Sequence, residues 1–104
     1  MDERQRGRVL GLLGLCRKAG KSGSGEFQCE DAIRKRRACL TLLAADASAN
    51  TKKKFNDHCT FYQIPIIELD VTKEEMGKAM GQGERSCAVV CEKELAASIM
   101  RIIE

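Results

Sequence analysis

Three short apolar runs, Leu40 to Ala45, Ile66 to Leu69 and Cys87 to Cys91, are separated from one another by stretches of helical periodicity, and this alternation limits the possible folds more than any other feature of the chain. Short runs without a polar residue at every second position fit strands buried on both faces. Strands that alternate with helices pair in parallel through right-handed crossovers. The expectation is α/β, a three-layer α/β/α sandwich with a small mixed, mostly parallel sheet, in which extra helices at the start of the chain cover the second face. With 104 residues, 43% of them hydrophobic, the chain is long enough for one domain over 1–104 to close its core without metal or disulfide.

The segments between the runs carry helix punctuation. Val9, Leu12, Leu13 and Cys16 stand at i, i+3, i+4 and i+7, which predicts a helix over 4–19 stopped by Gly20. Ser22 to Gly25 reads as a turn, with a short strand around Lys21. A second helix follows, with Cys29, Ala32 and Ile33 on its buried face and Arg34-Lys35-Arg36-Arg37 at its far end. Ser48 is the N-cap of a third helix that buries Thr51, Phe55, Cys59 and Tyr62 and leaves Lys52 to Lys54 on its solvated side. Pro65 opens a strand, where its missing N–H is tolerated. Thr72 and Glu75 form a capping box for a fourth helix that ends at Gly81, and Leu95, Ile99 and Ile102 give a last helix its apolar stripe.

Charge is divided unevenly. Residues 1–54 hold 13 Lys or Arg against 6 Asp or Glu, a net +7, whereas residues 55–104 hold 5 against 9, a net −4. The first half is the one suited to a polyanion. The glycine turn Gly23-Ser24-Gly25 leads into the second helix, so unpaired backbone N–H groups can face a phosphate or a base edge there. Its length and framing rule out a P-loop or a dinucleotide fingerprint. Three Phe, one Tyr and no Trp leave few aromatics for stacking bases.

The six cysteines, at 16, 29, 39, 59, 87 and 91, form no C-x-x-C pair and sit in apolar company, which reads as reduced core thiols in a reducing cytosol. His58 is the lone histidine and has no ligand or triad partner at a telling spacing. No metal or cofactor is expected. Arg4, Arg6 and Arg8 before an apolar run imitate a signal peptide, but Leu15 occupies the position where cleavage needs a small residue. A cytoplasmic location without a membrane partner is expected.

The order of several motifs resembles a known family. These are Leu15 to Lys21, Ser24-Gly25-Glu26, Ala32-Ile33-Arg34, Leu40 to Ser48, Asn50 to Lys54, Ile64 to Glu68 and Thr72 to Gly81. Together they are similar to the kink-turn RNA-binding ribosomal proteins of the L-seven-Ae / L-thirty-e type, and especially to the short bacterial YlxQ-like members. The resemblance implies a non-enzymatic protein that docks structured RNA, ribosomal in origin, as a monomer with ribosomal proteins as neighbours. It places the contact at Gly25, Glu26, Phe27, Gln28 and Asp31, with Lys18, Lys21, Arg34 and Lys35 around them and the loop Gly83, Glu84 and Arg85 as a second region. Gln28 fits the family pattern, while Phe27 stands for a hydrogen-bonding group and Asp31 for a cation. On the sequence alone, Asp31→Lys should therefore strengthen binding. Two other classes compete with this reading: a protein-interaction module using the acidic second half, and a small thiol-dependent enzyme.

Overall fold

The computed structural model describes residues 1–104 as nine elements. They are α1 (Glu3–Lys18), β1 (Ser22–Ser24), α2 (Glu26–Arg34), β2 (Leu40–Ala44), α3 (Ala49–Tyr62), β3 (Ile66–Leu69), α4 (Lys73–Ala79), β4 (Cys87–Val90) and α5 (Lys93–Ile103). Two apolar clusters sandwich one sheet. Val9, Leu13, Met76 and Ile99 of α1, α4 and α5 pack on the face that carries Leu40, Leu42 and Val90. Cys29, Ile33 and Phe55 of α2 and α3 pack on the face that carries Leu43, Cys87 and Val89. All five residues of β2 and all four of β4 are buried, so neither strand shows polar alternation. The three-layer α/β/α sandwich is thus the observed architecture.

Pairing sense departs from the parallel expectation. The strand order is β1-β4-β2-β3, and only β2 and β3 pair in parallel; β4 is antiparallel to both β1 and β2. Three of the four strands run the same way, but β4 lies between two of them, so the sheet is mixed with mostly antiparallel contacts. The connection after β3 explains this. A parallel return requires a crossover along the whole sheet, whereas α4 has seven residues and the chain after it doubles back. The Arg85 N–H donates to the Lys73 carbonyl at 3.0 Å, which brings the chain back to the start of α4 and the end of the sheet that β3 left. From there β4 can only run in the opposite direction.

Helix ends follow one backbone device. α1, α2 and α4 close with paired 6→1 and 5→2 hydrogen bonds, such as Lys21 N–H to the Cys16 carbonyl and Gly20 N–H to the Arg17 carbonyl. The residue after each cap is left-handed: Gly20 at φ 70°, Arg36 at 56° and Gly81 at 67°. The basic run is accordingly not a helix end as predicted. Arg34 alone is helical, and Arg36 reverses the chain so that Arg37 folds back toward α2. The expected turn at Ser22 to Gly25 is likewise a strand over its first three residues, because β4 offers Ser22 to Ser24 a partner that sequence could not reveal. The N-terminal devices at Ser48 and at Thr72 with Glu75 form as expected. No helix is long and apolar enough to cross a membrane.

Candidate nucleic-acid interface

β1 is an edge strand, and the chain passes from it into α2 through Gly25, whose φ of 83° only glycine adopts without strain. That backbone sets the first turn of α2 against the sheet edge and leaves its N-terminus without a side-chain cap. A cleft of about 440 Å³ opens beside it, lined by Lys21, Gly23, Phe27, Gln28, Asp31 and Arg37 among others, with Val89 and Cys91 on its sheet side. Phe27 is 79% exposed at its mouth.

Gln28 is oriented. Its side-chain carbonyl accepts the Ser24 backbone N–H at 3.1 Å, so the amide nitrogen is left to donate. The residue that the sequence allowed both to donate and to accept is therefore a donor group at this site. Asp31 is equally committed. Its carboxylate faces Arg37 at 3.0 Å, Lys35 at 3.3 Å and Arg34 at 4.0 Å. Three cations around one partly buried anion leave the corner net positive by two. Asp31 thus organises the basic cluster that Arg34 and Lys35 belong to, in place of facing outward as an isolated negative charge.

Glu26 turns away from the cleft. It receives the Thr51 hydroxyl at 3.3 Å and pairs with Lys54, which also reaches Glu30 at 2.9 Å. These two carboxylates hold the Lys54 ammonium above the usual lysine range, which favours its charged form. The result is a clamp between α2 and α3. Lys52 is tied down as well, to the Ala45 carbonyl at 2.7 Å and to Glu68 at 3.2 Å. Neither lysine is the solvated side group that the sequence suggested, because their carboxylate partners come from distant segments.

The second predicted region approaches the first from the other side. A Cβ on Gly25 would lie 3.6 Å from the Arg85 side chain, so the Arg85 stem runs past the start of α2. Its guanidinium donates to the Glu84 carbonyl at 2.9 Å and to Gln82 Oε1 at 3.2 Å. Gly83 and Glu84 are exposed on this loop. Lys18 is exposed at the end of α1 and, like Lys21, has no carboxylate within ion-pair distance. The structure therefore gathers Lys21, Phe27, Gln28 and Asp31 on one cleft, sets Gly25 and Arg85 together at its end, and turns Glu26 toward α3. Arg37, which the sequence offered only as the end of a basic run, reaches the cleft through the left-handed turn at Arg36.

A small mixed sheet between helical layers, with a glycine-led helix start beside a cationic edge cleft, defines a three-layer α/β domain. Residues 8–101 match the model of the Ribosomal protein L7Ae/L30e/S12e/Gadd45 family, and the chain belongs to that family. It is 34% identical over 93 residues to the RNA-binding protein YlxQ of Bacillus subtilis (strain 168), covering 89% of this chain and 92% of that one. The RNA-binding protein YlxQ of Enterococcus faecium is 34% identical over 90 residues, 86% of each chain. Among solved structures, a protein of unknown function from Bacillus halodurans C superposes with a TM-score of 0.84 at 33% identity, covering 91% of this chain and 95% of that one. The Giardia lamblia 15.5kD RNA binding protein gives 0.79 at 17% identity, covering 99% and 88%, which shows a shared fold.

Proposed function

We propose that this chain is a non-enzymatic RNA-binding protein, folded as one unit over 1–104. It docks structured RNA through the β1 edge, the first turn of α2 and the loop Gly83 to Arg85. The observation that carries this reading is the cleft itself, where the donor side of Gln28 is fixed and the surrounding charge is net positive. The names of the YlxQ relatives support it. The protein acts as a cytoplasmic monomer on structured RNA of the ribosome, with kinked helices as the preferred shape. The enzyme reading lacks an assembled nucleophile and base, and the acidic second half spends Asp70, Asp57 and Glu68 on internal ion pairs.

Titration of a kink-turn RNA and of a straight duplex of equal length across a range of salt tests the proposal. Log affinity should fall linearly with log salt, and neutralising Lys18 and Lys21 should flatten the slope by about one unit for each phosphate contact removed. The kinked RNA should bind more tightly than the duplex. Absence of binding to either RNA at low salt overturns the proposal.

A further inference from the structure

We infer that the edge cleft is a seat for one unpaired RNA base, stacked on Phe27. The inference rests on the RNA-binding reading above and specifies what part of the RNA that site takes. Phe27 is one of only four aromatic residues of the chain, and it projects from the first turn of α2 with 79% of its surface exposed. Exposed apolar residues are ordinary when scattered singly. This one borders a cleft of about 440 Å³, inside the ~300–1,000 Å³ range of small-ligand sites.

The chemistry around the ring fits a base and its phosphate. Gln28, next in sequence and on the same cleft, has its carbonyl occupied by Ser24, so its amide hydrogens meet an acceptor-rich edge such as a guanine O6 and N7 or a pyrimidine carbonyl. Lys21 stands at the rim without an acidic partner, and the Arg37 guanidinium is held in the cleft by Asp31 at 3.0 Å. An aromatic face with a neighbouring donor and flanking cations is the combination that holds unpaired bases, whereas a paired base hides its faces in the stack. A duplex can use the cations and leaves the ring empty. The apolar side chain at position 27 therefore supplies stacking where a polar one would supply a hydrogen bond.

The test compares wild type, Phe27→Ala and Phe27→Trp on three RNAs: a hairpin with one unpaired nucleotide beside a kink, the same hairpin with an abasic site at that nucleotide, and a fully paired duplex. Position 27 is exposed, so all three proteins should unfold at similar denaturant concentrations. Wild type should bind the unpaired-base hairpin about ten- to hundredfold more tightly than the abasic one. Phe27→Ala should bind both hairpins alike, at the abasic level, and the duplex unchanged. Because the chain has no tryptophan, the indole of Phe27→Trp is the sole reporter, and the unpaired base should quench it while the duplex does not. If Phe27→Ala keeps the preference for the base, or the indole is unquenched at saturation, the stacking seat is wrong while RNA binding stands. If wild type binds no RNA at low salt, both fall together.

Discussion

Asp31 shows how far a single residue's meaning depends on its neighbours. The family resemblance sets it where relatives carry a cation, so on that ground alone removing or reversing its charge should help a base-specific interaction. In the fold it holds Arg34, Lys35 and Arg37 in one cluster. Asp31→Asn keeps the shape and an acceptor for Arg37 while unmasking one unit of positive charge. Affinity should rise by a few-fold at low salt for kinked and straight RNA alike, since the unmasked charge acts on phosphates, and the dependence on salt should steepen. Each cation of the cluster is more than half exposed, so the loss of stability should stay below about 1 kcal/mol. Titration at two salt concentrations with a urea unfolding curve measures both effects; a gain confined to the kinked RNA would show that Asp31 acts on a base.

Among the elements, the α4–β4 connection positions the loop proposed as the second contact region, and Gly77 controls it. A Cβ built there would stand 1.8 Å from the Gly83 carbonyl oxygen and 2.6 Å from its carbon, both backbone atoms that cannot swing aside. Gly77→Ala should therefore push the loop that carries Arg85 off α4 and cost ~1–3 kcal/mol. RNA affinity should fall with it. Gly11 in α1 makes the opposite case: nothing lies within 4 Å of its Cβ position, so Gly11→Ala should stabilise by ~0.5–1 kcal/mol and leave binding unchanged. Opposite shifts in urea midpoint, with the larger one for Gly77→Ala, are the expected pattern, and a neutral Gly77→Ala would mean that the loop is not held as described.

At the scale of the whole molecule, the core is stabilised without a cross-link and depends on thiols staying protonated. Cys16, Cys29, Cys59 and Cys87 are buried, while Cys39 and Cys91 are partly exposed. Burial pushes the Cys16, Cys59 and Cys91 thiols up, whereas in the Cys29–Cys87 pair the shared hydrogen bond raises Cys29 and lowers Cys87. A thiol raised in the folded state keeps a proton that the unfolded chain releases above about pH 8.5. Its contribution to stability is complete below that pH and is lost as pH climbs toward the folded value. Under reducing conditions the urea midpoint should be lower at pH 10 than at pH 7.5, and Cys59→Ala should narrow the gap. Identical midpoints at both pH values would contradict the burial of these thiols.

What the sequence determined by itself is whatever local chemistry can specify. Apolar runs too short for helices placed β2, β3 and β4, the Ser48 and Thr72 caps placed two helix starts, and Gly20 and Gly81 placed two helix ends, because each depends on residues a few positions apart. The start of α2 after Gly25 was legible for the same reason. The fold alone decided what depends on residues far apart in the chain. Sheet order and the direction of β4 follow from a loop folding back onto Gly77, and β1 exists because β4 lies beside it. A left-handed arginine at position 36, which no glycine announces, returns Arg37 to the cleft. The pairing of Glu26 with Lys54 and the commitment of Asp31 to three cations likewise arise from proximity in space, which is where Coulomb attraction and hydrogen bonds act.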